Sequence, residues 1–504
     1  MSIIRHLRLD EVVTSFPELG PTVPDGGYSW IILFGIFLIQ MTVPSVISMY
    51  GIILGYLVES SGADFHLWQE KIILTPILFA AFWCIADPWT RMIVSMASVP
   101  RLVGVIGVAL LSTGVVASGY LATGGVGAYL ANSSAGAVMG IGASFIMLQS
   151  DYVLRKYFRK RLLLAFTIRN IGTSVGLVFI PALTQMLLVN TSLKTSLLSM
   201  TIVFFPTILG ALTFRSPPQR ASPYRLLLST EDDNELPIRI SPDITKNPEH
   251  QDEHSSLENI GYEETEERTD RGSLYNAGNN IYSYQEPEEE VDLFINPVPQ
   301  SNSKLKVQLR VFRSLHFWAA TVGWVGFKGS NLFFWLLLPT SSVIRATSMQ
   351  PFDWASMSII AGLATFLPNI ISYKVLKSTR QCRRIFFGGA SLLSAVTLTG
   401  LSYASDYTWI LACSFLGGIS IGSLSSCQNL AMYDVLGTEV ARRAHKGFST
   451  LAGVCILMFC FVHGIHFCLR LVAVLQFIGG LYWASSPVVK FIKNRGQTPT
   501  HSTN

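Results

Sequence analysis

The chain has 504 residues, of which 50% are hydrophobic and only 14% charged, and its mean hydropathy is +0.41. An ordinary soluble domain carries about 25% charged residues, so the composition excludes a soluble enzyme and a fibrous or disordered chain. The net charge of +5 hides a segregation, because 19 of the 32 acidic residues lie between Glu231 and Asp292. In a chain this apolar such an asymmetry speaks of membrane topology and not of a nucleic-acid partner.

Residues 1–29 form a short N-terminal segment without an apolar core of about 7–15 residues behind a basic tip, so no cleavable signal peptide is expected. Apolar runs of about 20 residues then recur, each long enough to cross a lipid bilayer. Twelve such spans are predicted, at 30–57, 71–94, 102–122, 126–149, 161–188, 193–214, 314–339, 354–376, 384–404, 408–433, 447–468 and 470–489. Each is expected to be a helix, because hydrocarbon leaves backbone N–H and C=O groups no partner outside their own helix. Between spans 6 and 7 lies a polar segment, 215–310, with nine of the 23 prolines and the acidic cluster. Low hydrophobicity with high charge predicts disorder there. The chain thus divides into the segment 1–29, a six-helix bundle 30–214, an acidic cytoplasmic loop 215–310, a second six-helix bundle 311–489 and a tail 490–504. The fold class expected is an all-α membrane protein of twelve helices in a 6+6 arrangement.

Orientation follows from the short loops. With both termini in the cytoplasm, the inner loops hold fifteen Lys and Arg residues, among them Arg91, Arg101, Arg155, Lys156, Arg161, Lys374 and Arg442. The outer loops hold four, Lys71, Lys194, Arg345 and Arg470. This is a positive-inside pattern. It places the Asn190-Thr191-Ser192 sequon outside, in a loop so short that no glycan is expected. The seven cysteines show no metal spacing and sit mostly in apolar runs, so neither a disulfide framework nor a metal site is expected. The chain lacks a phosphate loop, a GxSxG elbow and an HExxH helix, so neither an enzyme nor a cofactor is expected.

Six spans, a long loop and six more spans are the hydropathy pattern of the major facilitator superfamily, whose substrate sites lie near the midplane between two halves. Two local stretches are more specific. Residues 24–30 read Pro-Asp-Gly-Gly-Tyr-Ser-Trp, with Asp25, Gly26, Gly27 and Trp30 at the mouth of span 1. Tyr157, Phe158 and Arg161 lead into span 5, where Gly172 and Gly176 follow. Both stretches resemble the signatures of the monocarboxylate transporter family. The resemblance implies alternating access at the plasma membrane and a small organic anion or zwitterion as substrate. For some members it also implies a single-span immunoglobulin-like chaperone as partner. Read as residues, Gly26 and Gly27 permit a sharp entry into the helix, Tyr28 and Trp30 suit the headgroup layer, and Gly172 with Gly176 lets two helices approach closely.

The resemblance also implies a lysine late in span 1 and an Asp/Arg pair in span 8. Ser48, Leu363 and Leu367 fall at those positions. None can attract a carboxylate or exchange a proton, so facilitated transport is expected ahead of proton symport. Two alternatives stay open: a proton-coupled carrier with relocated acids, and a sensor or scaffold that works through the acidic loop.

A charge at mid-bilayer costs about 2.5–3.5 kcal/mol on insertion scales, so each one within a span needs a reason. Arg169 in span 5 is either a cation for an anionic substrate or half of a pair with an acid on a neighbouring helix. Lys328 in span 7 has the same two readings, with Asn170 and Asn331 beside these cations as polar candidates. Asp87 in span 2 is a proton site or the partner of Arg91. Asp434 at the inner end of span 10 is expected to form a gate salt bridge with Arg442 or Arg443. His463 and His466 are expected to be ordinary hydrogen-bonded histidines. Gln149, Trp335, Asn369, Gln428 and Asn429 are further residues able to line a cavity or to bond helix to helix.

Overall fold

The twelve apolar runs fold as helices because each buries its own backbone hydrogen bonds. A computed structural model of the chain describes residues 26–61, 73–121, 126–158, 160–215, 315–345, 351–404, 406–436, 438–459 and 465–495. Asp25, the acidic segment beyond Arg215, the tail beyond Arg495 and His463 lie outside them, as do the side chains of Asn429, Arg442, Arg443 and His466. All described residues belong to one unit, Val23–Pro217 with Glu286–Asn504.

Among the described residues there is no strand, and the helices follow the predicted spans in order. Span 1 is Tyr28–Thr42 and Val46–Ser61, span 2 Leu74–Met96, span 3 Pro100–Leu121, span 4 Val126–Tyr157 and span 5 Leu162–Asn190. Span 6 runs through Leu193–Met200, a 3₁₀ turn Thr201–Phe204 and Phe205–Leu212. The second half holds Leu315–Arg345, Pro351–Ala364 with Phe366–Leu376, Arg380–Tyr403, Tyr407–Leu436, Thr438–Met458 and Ile465–Arg495. Among the described residues, ten helical stretches are long and apolar enough to cross a membrane. Span 7 is interrupted in its middle by Lys328, Ser330 and Asn331, and only Gly447–Met458 of span 11 is apolar.

Besides span 6, whose 3₁₀ turn comes just before Pro206, two spans are interrupted, and proline accounts for both of those breaks. A proline has no N–H and crowds the preceding turn. Span 1 turns at Val43–Ser45 around Pro44, and span 8 turns at Thr365, three residues before Pro368. Gly27 begins span 1 with φ +56°, the only left-handed glycine among the described residues, which is the sharp entry expected of that position.

Span 1 lies directly on span 5. A Cβ at Gly172 would stand 2.7 Å from the Phe37 carbonyl oxygen, and one at Gly176 would overlap the Met41 carbonyl. The two halves touch through spans 2 and 11, spans 5 and 8, and spans 1 and 7, where Gly51 sits against the Trp335 and Leu336 carbonyls. The end of the bundle where span 1 starts carries Arg101, Arg155, Lys156 and Arg161 and is the basic end.

Candidate functional site

Span 7 presents Trp324, Phe327 and Lys328 on one face, since residues three and four apart on a helix are neighbours. The Lys328 ammonium lies 5.3 Å from the Trp324 ring centre and 5.4 Å from that of Phe327. Lys328 is half-buried, and a contact of this kind is worth about 0.5–2 kcal/mol. Among the described residues, no carboxylate pairs with Lys328. Asp87 on span 2 is close enough to act on it electrostatically. Both oxygens of Asp87 are nonetheless committed to Arg91, whose Nε donates to Oδ2 at 2.8 Å and whose Nη2 donates to Oδ1 at 3.2 Å. Of the two readings of Asp87, the Arg91 pair is therefore present in the fold.

Span 11 closes the cluster. His445 stands edge-on to Trp324, with ring centres 5.4 Å apart, and its Nδ1 is 3.8 Å from Asp87 Oδ2. His445 Nδ1 and the indole N–H of Trp324 are buried without a hydrogen-bond partner. Asn331, one turn beyond Lys328, is half-buried. The site thus gathers a cation, an indole donor without an acceptor, and a carboxylate held by arginine.

Arg169 has a different environment. Its Nη1 forms an ion pair with Asp151 of span 4, and its guanidinium lies 5.3 Å from the Phe166 ring centre. The fold thus contains the second of its two readings, a pair with an acid on a neighbouring helix. The Nε of Arg169 is buried without a partner. Asn170, its neighbour, faces span 8, where its carbonyl accepts from Asn369. Breaking a buried pair from one side costs about 3–5 kcal/mol, and the part-exposed Asp151 argues for the lower end. We expect Arg169→Gln to lower the unfolding temperature of the purified protein and Arg169→Gln with Asp151→Asn to recover most of it. Equal unfolding temperatures for the single and double variants would show that the pair does not hold Arg169.

Asp434 is taken by Arg383, Nε to Oδ2 at 2.7 Å and Nη2 to Oδ1 at 2.7 Å. This bidentate pair joins spans 9 and 10 within the second half. The sequence offered Arg442 and Arg443, which are nearer along the chain and whose side chains lie outside the described residues; among the described residues Asp434 meets Arg383, at the start of span 9.

The two signature stretches come together at the basic end. Tyr28 and Tyr157 have ring centres 6.4 Å apart, and Trp30 stands edge-on to the buried Phe158 at 5.7 Å. Their hydroxyls serve the end of span 6. Tyr28 donates to the Thr213 carbonyl at 2.8 Å and Tyr157 to that of Arg215 at 3.0 Å, while Arg101 Nε donates to the Phe214 carbonyl between them at 2.7 Å. These carbonyls follow the last helical residue, Leu212, so spans 1, 3 and 4 tie down the chain just beyond span 6, where the acidic segment begins. Gly26 and Gly27 lead into Tyr28, and Arg161 is exposed at the start of span 5.

Trp324, His445 and Asp151 are among the members of these constellations that lie outside the residues singled out from the sequence. His445 precedes the predicted start of span 11, and Asp151 follows the predicted end of span 4. Both helices run on past their apolar runs, to Thr438 and to Tyr157. A hydropathy boundary therefore leaves in the loops two residues that the fold carries into the bundle. Leu363 and Leu367 are 53% and 52% exposed, on the face of span 8 opposite Thr365 and Asn369.

Residues 36–459 match the sequence profile of the Major Facilitator Superfamily. No curated protein matches the chain. Among solved structures, the fold is similar to a POT family transporter in complex with a thioalcohol-conjugated peptide, with a TM-score of 0.55, 11% identity, and 94% of this chain and 98% of that one covered. It is similar to a POT family transporter in complex with 5-aminolevulinic acid, with a TM-score of 0.53, 12% identity and coverage of 94% and 98%. A peptide transporter POT gives 0.54, 11%, 94% and 97%. At such identities the likeness carries the fold alone.

Proposed function

Since the chain belongs to the Major Facilitator Superfamily, whose fold is that of a multi-pass secondary membrane transporter, we propose that it moves a small organic anion or zwitterion across the plasma membrane by alternating access. The observation that carries the anion is Lys328. Its ammonium has no carboxylate partner among the described residues, and the Trp324 N–H beside it has no acceptor. A substrate carboxylate supplies both. Within the superfamily we read the chain as a monocarboxylate-transporter-like member, with both termini cytoplasmic. The two signature stretches and the fifteen-to-four bias of basic residues support that reading. A zwitterion, which also carries a carboxylate, belongs to the same reading.

Transport is facilitative in this reading, because Ser48, Leu363 and Leu367 occupy the places of the usual coupling charges. An uptake screen of radiolabelled monocarboxylates, amino acids and their decarboxylated amines, with and without a pH gradient, tests it. Carboxylate-bearing compounds are expected to enter cells expressing the protein, insensitive to the gradient. Equal uptake of an amine that lacks the carboxylate would defeat the anion reading. One observation favours proton coupling instead: His445 and Asp87 place two titratable groups 3.8 Å apart beside Lys328. Uptake that rises as external pH falls, and collapses in Asp87→Asn, would decide for it.

A further inference from the structure

Spans 5 and 8 belong to different halves and meet in a knot of neutral groups. Asn369 Nδ2 donates to Ser174 Oγ at 2.7 Å and to the Asn170 carbonyl at 3.1 Å. Thr365 Oγ1 donates to the same Ser174 oxygen at 2.7 Å. All four residues are buried. One turn away, a Cβ at Gly362 would stand 2.7 Å from the Leu177 carbonyl, so the two backbones are in close contact there.

The knot sits on a break. Span 8 stops at Ala364 and resumes at Phe366, and the Thr365 N–H is shared between the Ala361 and Gly362 carbonyls at 3.2 and 3.1 Å. Pro368 supplies no N–H, which removes one rung of the helix at this point. Thr365 is thus a bond donor to the other half and also the residue at which its own helix bends.

A second contact between the halves lies at a similar depth. Ser449 Oγ of span 11 donates to the Cys84 carbonyl of span 2 at 3.1 Å, and a Cβ at Gly453 would stand 2.7 Å from the Ala81 carbonyl. Asn170 lies eight residues into span 5, about 12 Å from its basic end at 1.5 Å per residue. Cys84 lies twelve residues from the end of span 2, about 18 Å by the same rise. Both contacts therefore lie in the basic half of the interface between the halves.

The knot contains no ion. Hydrogen bonds between neutral groups add little net stability, and a buried polar atom without a partner subtracts from it. Asn369 Oδ1 is such an atom. The knot is thus specific in geometry yet weak enough to be broken and remade in each cycle. We propose that Asn369 and Ser174 are gating residues: their knot holds the basic end of the transport path shut, and span 8 bends at Thr365 when that end opens. The inference rests on the alternating-access part of the proposed function and on no particular substrate.

The test needs none either. In the full-length protein in lipid nanodiscs, N-ethylmaleimide modification is followed at single cysteines by mass spectrometry. Cys84 is buried at the span 2 and span 11 contact, so its modification reports opening of the basic end. Cys413 is buried six residues into span 10, near the opposite end, and reports general loosening. Ser174→Ala and Asn369→Ala each remove two hydrogen bonds of the knot and are each expected to speed modification of Cys84 roughly five- to thirtyfold, with Cys413 unchanged. An oxidised S174C/N369C pair is expected to slow Cys84 below the wild-type rate, with reductant restoring it. Unchanged Cys84 rates in the alanine variants, or a parallel rise at Cys413, would overturn the proposal. If both alanine variants fail to fold, an oxidised pair that leaves Cys84 as reactive as the reduced one overturns it alone. A failed uptake screen would leave this result untouched, so the two proposals fall separately.

Discussion

Gly176→Leu is expected to yield no folded protein, and Gly176→Ala to yield a protein of clearly lower unfolding temperature. A Cβ at this position overlaps the Met41 carbonyl oxygen and stands 2.5 Å from Ser45 Oγ. Neither neighbour can yield cheaply. Met41 offers backbone, and Ser45 ends the turn around Pro44 and bonds back to the Met41 carbonyl at 3.0 Å. Accommodating even one methyl therefore means moving span 1 off span 5. Overpacking of this sort costs about 1–3 kcal/mol when side chains absorb it, and more where two backbones must part. In a chain held together by some 5–15 kcal/mol, leucine exceeds what remains. Gly389 is the control, because it is exposed in span 9 and a Cβ there meets nothing within 4 Å. Gly389→Ala is expected to unfold at the wild-type temperature. The measurement is a thermal unfolding series on detergent-purified protein, with the monodisperse fraction recorded for each variant. A Gly176→Ala protein as stable as Gly389→Ala would show that the contact between spans 1 and 5 gives way.

The span pattern was legible because lipid imposes one rule on every crossing segment. Twelve apolar runs had to become twelve helices, and the Gly172–Gly176 spacing already announced a close helix contact. The entry at Gly27 was equally readable, since its two-glycine sequence admits a conformation that side chains resist. Less legible was where the helices end. Hydropathy marks the hydrocarbon layer, whereas a helix continues for as long as its hydrogen bonds and tertiary contacts hold. Asp151 and His445 lie in those continuations, which is why the partner of Arg169 and the neighbour of Asp87 were assigned to loops.

Partners across the bundle were the other hidden quantity. Asp434 could be matched only with arginines close along the chain, and Arg383 lies 51 residues away. The tethering of Thr213, Phe214 and Arg215 by Tyr28, Arg101 and Tyr157 joins segments up to 185 residues apart. Nothing in either signature stretch hints that its hydroxyl serves the end of span 6. By contrast, the two cations within the spans were visible at once, because charge in an apolar run has no cheap explanation. Their environments separate them. Arg169 is balanced by Asp151, whereas Lys328 lies against two rings and pairs with no carboxylate among the described residues.

That difference makes Lys328 the residue on which transport of an anion should turn. Lys328→Gln is expected to leave the unfolding temperature unchanged or raised, since removing an unpaired cation from mid-span removes its insertion cost. Uptake of the carboxylate found in the screen is expected to fall. A hydrogen bond to a charged group is worth about 1.5–3 kcal/mol, which is roughly a ten- to hundredfold rise in KM. Asp87 acts on Lys328 from a distance, but Arg91 occupies both of its oxygens, which leaves the ammonium without a carboxylate pair among the described residues. Lys328→Arg keeps the charge on a broader, flatter head and is expected to retain part of the uptake. Trp324→Phe keeps a ring under the ammonium while deleting the indole N–H, so its effect isolates the second donor. The decisive comparison is KM in Lys328→Gln against wild type at equal surface density. An unchanged KM would mean that the substrate's negative charge is met elsewhere, and the buried, unpartnered Nε of Arg169 would be the next group to neutralise.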